Sequence, residues 1–116
     1  MARGDVLTPE FEICAEEREG VVLLTLRGEL DLATVAPLRE SIAAVAWSNR
    51  PEVIVDLHDV TFIDATGLRV LVEAGREARR AGRPLSMVPG PPNVQRVFVL
   101  TLTLDVFEWL DPPTTA

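Results

Sequence analysis

Five carboxylates, Glu29, Asp31, Asp56, Asp59 and Asp64, fall near the ends of apolar runs, where side chains come together in an α/β chain. Gathered carboxylates are the raw material of a paired acid–base site or of a magnesium site. Asp64 has a further possibility. It opens the turn Asp64-Ala65-Thr66-Gly67, which lies between a strand-like run and an amphipathic helix. At such a junction a polar loop is aimed outward, and the first N–H groups of the helix favour anionic groups. Catalysis finds no further support. No serine–histidine or cysteine–histidine pairing is evident, and there is no glycine-rich phosphate cradle. The chain contains no lysine, which excludes a P-loop, a Schiff base and the phosphate clamp of a receiver domain. A receiver reading fails on a second count, because Asp56 lies inside its apolar run and is followed by Leu57. His58 is the only histidine and Cys14 the only cysteine, so neither a zinc site nor an internal disulfide is expected. The plain reading of loop acids is that they form turns or cap helices. Capping by Asp64 or Thr66, with Gly67 relieving crowding, accounts for the turn's residue types. The sequence thus points to no catalytic residue and no metal, and to a binding surface at this turn.

The bulk properties bound what that surface meets. The 116 residues suffice for one domain with one ordinary core. A hydrophobic content of 47% with 25% charged residues is that of a soluble globular protein. The net charge of -7 argues against nucleic acid or an anionic membrane as partner, since either demands a basic patch. No apolar run approaches the roughly twenty residues needed to cross a bilayer. The opening MARGDVLTPE lacks the apolar centre of a secretory signal, and a cytoplasmic location is expected.

The elements that must position the turn follow from periodicity. Residues 1–9 read as a flexible lead-in, 10–110 as the folded domain and 111–116 as a tail. Phe11, Ile13 and Ala15 alternate with Glu12, Cys14 and Glu16, the period of a strand with one wet face. Glu19-Gly20 turns the chain into a second strand, Val21 to Arg27, giving an antiparallel hairpin that Gly28 to Asp31 leaves. Thr34 is placed to cap a helix that carries Val35, Leu38, Ile42 and Val45 on one face, tolerates Pro37 in its first turn and stops at Asn49-Arg50-Pro51. Val53 to Leu57 reads as a central strand. Leu68, Leu71, Val72, Gly75, Ala78 and Ala81 form the apolar stripe of the next helix, with Arg69, Glu73, Arg76, Glu77 and Arg80 outside and Gly82 at its end. Pro84 to Val88 is a further strand. Pro91-Pro92-Asn93 starts a helix over a segment whose β-branched residues also suit a strand; the helix is preferred for its start signal. The excess apolar residues Val99, Leu100 and Leu102 mark either a partner contact or scattered surface aliphatics. Alternating strands and helices imply right-handed crossovers and a partly parallel sheet, hence a single α/β domain with a mixed sheet flanked by helices.

Three stretches, VVLLTLRGELDLATVAPLRESI, VIVDLHDVTFIDATGLRVLVEA and PPNVQRVFVLTLTLDVFEWL, carry a resemblance to the STAS domain family of bacterial anti-sigma factor antagonists, over about Phe11 to Trp109. The pairing of Gly28-Glu29-Leu30-Asp31 with Thr61 to Leu68 is its most specific part. The resemblance implies a small mixed sheet with helices on one side and a role in partner switching. Members bind an anti-sigma factor that is also a serine kinase with a GHKL-type ATPase fold, and so free a sigma factor; phosphorylation of the antagonist breaks the complex. In that pattern the phosphoacceptor directly follows the aspartate. Here that position is Ala65, which has no hydroxyl, and Thr66 is the only hydroxyl in the turn. Either Thr66 takes over as phosphoacceptor or the protein is an antagonist without this switch. Leu102 stands where the family often closes its last helix with glycine.

On this resemblance the contact surface comprises Asp31 and the turn and helix start Asp64, Ala65, Thr66, Gly67, Leu68 and Arg69. Asp31 and Asp64 would offer charge to an arginine of the partner, Ala65, Gly67 and Leu68 close approach, and Arg69 a rim. A different use of the same fold is a subunit of an ABC-type lipid-transport complex or scaffold assembly. No cofactor is implied by either.

Overall fold

The computed structural model describes residues 2–7, 11–46 and 52–110, with no side-chain detail for 2–7 or Ala46. The expected stop at Asn49-Arg50-Pro51, the tail 111–116, residues 1 and 8–9 of the lead-in and the first domain residue, 10, lie outside the described residues. The elements run β1 (Ala2–Leu7), β2 (Phe11–Arg18), β3 (Val21–Leu30), α1 (Val35–Ala46), β4 (Glu52–Ile63), α2 (Ala65–Arg80), β5 (Ser86–Val88), α3 (Pro92–Leu100) and β6 (Glu108–Trp109), with one turn of 3-10 helix at Leu104–Val106. The six strands lie in sheet order 1-2-3-4-5-6. The first two pairings are antiparallel and the last three parallel, so the sheet is mixed as expected.

The alternation along β2 and β3 sets which face is buried. Register pairs Ile13 with Leu26, Leu24 with Val55, and Val55 with Met87, all buried on one face. Helix α1 adds Val35 and Leu38, α2 adds Leu68, Val70, Leu71 and Val72, and α3 adds Val94 and Phe98, all to one contiguous core. The opposite face carries the half-buried Cys14, Leu23, Thr25 and Ile54. The Glu19-Gly20 turn is the expected one, and both residues take positive φ, which matches a two-residue hairpin whose twist follows that of the strands.

Three expectations are corrected. Residues 2–7 of the lead-in form β1 and pair with β2. Strand β3 continues through Gly28 and Glu29 to Leu30, because both its neighbours extend alongside it. Strand β4 runs on to Ile63, well past Leu57. Its extension holds two register shifts against β3, opposite Thr25–Arg27 and opposite Gly28–Glu29. Each shift adds a residue to β4 and resets its alternation. Two backbone groups at these irregularities are satisfied by side chains. His58 N–H donates to the Asp56 carboxylate at 2.8 Å, and the Asn93 amide at the start of α3 donates to the Thr61 carbonyl at 2.9 Å.

Candidate functional site

The carboxyl ends of β3 and β4 lie side by side, with Leu30 opposite Ile63. The chain leaves β3 through the loop 31–34 and leaves β4 directly into α2, so the loop and the helix start share one end of the sheet. Parallel strands place their binding surfaces at this end.

The loop is a closed hydrogen-bonded knuckle. Buried Thr34 donates its hydroxyl to the Glu29 carbonyl at 2.8 Å and accepts the Asp31 N–H at 3.0 Å, while its own N–H donates to the Asp31 carbonyl at 3.0 Å. The Asp31 carboxylate accepts the Ala33 N–H at 3.0 Å. Thr34 therefore braces the loop that precedes α1. Leu32 is carried at the knuckle's tip, 72% exposed.

Asp64 joins this knuckle to α2. One carboxylate oxygen accepts the Gly67 N–H at 2.9 Å, the N-cap interaction, with Asp64 itself in extended conformation. The other accepts the Leu32 N–H at 3.3 Å, and the Asp64 N–H donates back to the Leu30 carbonyl at 3.1 Å. Of the two capping candidates, Asp64 holds the role. Gly67 is required by closeness rather than by φ. A Cβ there would stand 2.7 Å from the Leu30 carbonyl oxygen and 2.8 Å from Leu30 Cγ.

The sequence-derived residues thus divide by position. Ala65 and Arg69 are exposed, one turn apart on the same side of α2, and Thr66 is half-buried between them. The Thr66 hydroxyl forms no hydrogen bond among the described residues. Gly67 and Leu68 are buried, so they shape the surface from beneath. Asp31 and Asp64 accept backbone N–H groups and hold the surface together. Asp56 and Asp59 are strand residues at the first β4 irregularity. Asp59 lies 3.8 Å from the Arg27 guanidinium and 3.2 Å from the His58 ring, all exposed. No group of three or more histidine, cysteine or carboxylate residues suited to a metal ion occurs among the described residues.

Two apolar residues at this end escape the sequence reading, Leu32 and Phe62, the latter 47% exposed and paired in register with Glu29. A leucine flanked by Asp31 and Ala33 in a loop ahead of a helix was the available signal for the first. The bulge that resets the alternation hid the second.

The STAS domain family model matches residues 12–114. The anti-sigma-F factor antagonist RsfB of Mycobacterium tuberculosis is 36% identical over 59 residues, which span 51% of this chain and 48% of that protein. The chain thus matches about half the length of that relative. The anti-sigma-B factor antagonist of Bacillus subtilis is 25% identical over 98 residues, 84% of this chain and 89% of that one. Among solved structures, an anti-sigma factor antagonist from Mycobacterium paratuberculosis superposes with a TM-score of 0.80 at 26% identity, covering 94% of this chain and 92% of that one. The mixed sheet, its helices and the sequence match from the second strand onward agree: the chain belongs to the STAS domain family.

Proposed function

We propose that this domain is an anti-sigma factor antagonist, which docks the end of the sheet formed by the 31–34 knuckle and the start of α2 onto an anti-sigma factor. The names carried by its relatives support the class. The observation that carries the site is the clasp at Asp64, which ties the Leu32 N–H of the exposed loop tip to the cap of α2, the helix that opens on exposed Ala65, half-buried Thr66 and exposed Arg69. Such a surface binds by complementarity and needs no reacting group. The protein acts in the cytoplasm in this reading, and its partner is a serine kinase of the GHKL type.

Phosphorylation at position 65 is closed, since Ala65 has no hydroxyl. Thr66 keeps a hydroxyl that capping does not consume, because Asp64 is the cap. A phosphate there would add roughly two negative charges next to the Asp64 carboxylate, at the surface offered to the partner. The intact mass of the protein after incubation with ATP and the purified anti-sigma kinase tests this reading. One added phosphoryl group, abolished by Thr66→Val, means a switch shifted by one residue. A stable complex with no added mass means an antagonist without this switch, and Ala65→Ser is then expected to become phosphorylated. Neither added mass nor complex overturns the proposed function.

A further inference from the structure

We propose that Asp64 is a positioning residue that presents Leu32 to the partner, through the carboxylate oxygen not used for capping. The proposal rests on the function given above. The knuckle's remaining polar groups close on one another: Thr34 bonds to Glu29 and Asp31, and Asp31 to Ala33. The Leu32 N–H is the group it directs outward to the helix, and Asp64 receives it. The same residue grips the loop's root through its own N–H to the Leu30 carbonyl, and α2 is seated so closely that Gly67 leaves no room for a Cβ against Leu30. The knuckle is therefore rigid within itself and pinned to α2 at residue 64 from two sides. Leu32, largely exposed, takes its direction from that pin. A large aliphatic side chain on a backbone held in place at a surface tip binds with less ordering cost, which suits it to an apolar recess on the partner. The Asp64 carboxylate, expected on the family resemblance to offer charge to a partner's arginine, thereby also shapes the apolar contact.

Asp64→Asn separates the two oxygens. Asparagine caps a helix about as well as aspartate, so its carbonyl oxygen keeps the Gly67 bond, while its amide N–H2 meets the Leu32 N–H donor to donor. Amide exchange by NMR on the full chain is expected to speed up at least tenfold at Leu32 and to stay unchanged at Gly67. Affinity for the purified anti-sigma factor of the source organism is expected to fall about tenfold, with the thermal midpoint nearly unchanged. Asp64→Ser, which caps with a single oxygen, gives the same pattern and serves if the asparagine variant folds poorly. Unchanged Leu32 exchange in a folded variant overturns the pin. Faster Leu32 exchange with undiminished affinity overturns the presentation of Leu32. A wild-type protein that binds no anti-sigma factor overturns the proposed function and the partner clause with it, while Leu32 exchange still decides the pin.

Discussion

A carboxylate in a loop reads as a charge on offer, and at this site the structure gives it a second task. Asp31 and Asp64 each accept backbone N–H groups, and an anion with such donors is already part of the backbone's own accounting. What they create is a close junction between a loop and a helix start, and Gly67 is the residue on which that closeness depends. The Leu30 carbonyl that a Cβ at 67 would strike at 2.7 Å is also the acceptor of the Asp64 N–H, so it cannot retreat without breaking that bond. Gly67→Ala is therefore expected to destabilise the protein by about 1–3 kcal/mol, in the range of overpacked sites. The variant should also expose the Leu32 amide to faster exchange as α2 lifts away from the knuckle. Urea unfolding measures the first effect and NMR the second. A Gly67→Ala protein as stable as wild type would mean that the helix is not seated against Leu30.

At the scale of elements, α2 and α3 end in the same way with different residues. In α2 the Gly82 N–H donates to the Arg79 carbonyl and the Arg83 N–H to the Ala78 carbonyl. In α3 the Leu102 N–H donates to the Val99 carbonyl and the Thr103 N–H to the Phe98 carbonyl. Both are Schellman ends, which need a left-handed residue just past the helix. Gly82 meets that need at φ 76°, and Leu102 meets it at φ 58° with a side chain 86% exposed. A left-handed leucine costs about 1–2 kcal/mol, and glycine gives back part of the gain through greater unfolded-state freedom. Leu102→Gly is thus expected to stabilise by about 0.5–1 kcal/mol, a rise of roughly 2–4 °C in thermal midpoint at this chain length. A lower midpoint would show that Leu102 makes a stabilising contact in solution. The expected helix at Pro91-Pro92-Asn93 formed even though β-branched residues favoured a strand, because its start signal and the buried pair Val94 and Phe98 agree on one face. The start of β4 at Val53 to Leu57 and the whole of α2 were legible from an apolar run and from a helix period. The far half of β4 was not, because two irregularities reset its alternation, and ARGDVL and Glu108–Trp109 are edge pieces too short or too mixed to show a period. The turn itself was legible as a junction between strand and helix, whereas the division of its residues was not, since capping and contact use the same residue types.

The molecule as a whole is closed at its last strand by a cluster that the sequence gives no period for. Phe98, Phe107 and Trp109 meet pairwise edge to face, with ring centroids 5.2–5.8 Å apart. The Trp109 indole donates to the Leu104 carbonyl at 2.7 Å, and the Glu108 and Leu110 N–H groups donate to Leu85 and Met87 at 2.9 and 2.8 Å. This cluster belongs to the core cluster that also contains Leu30, Ile63 and Leu68 beneath the candidate site. A contiguous core in a chain of this size unfolds as one unit. Loss of packing at the last strand should then lower the stability of the knuckle as much as that of α3. Phe98 is fully buried and touches both other rings, so Phe98→Ala is expected to cost about 3–5 kcal/mol. That is a fall of roughly 12–20 °C in thermal midpoint. Far-UV circular dichroism and the Leu32 amide signal should report the same midpoint in the variant. Two separate transitions would show that the C-terminal cluster folds apart from the site. A single lowered one would mean that the candidate surface takes its stability from the whole sheet, so that even a substitution in the last helix weakens the knuckle on warming.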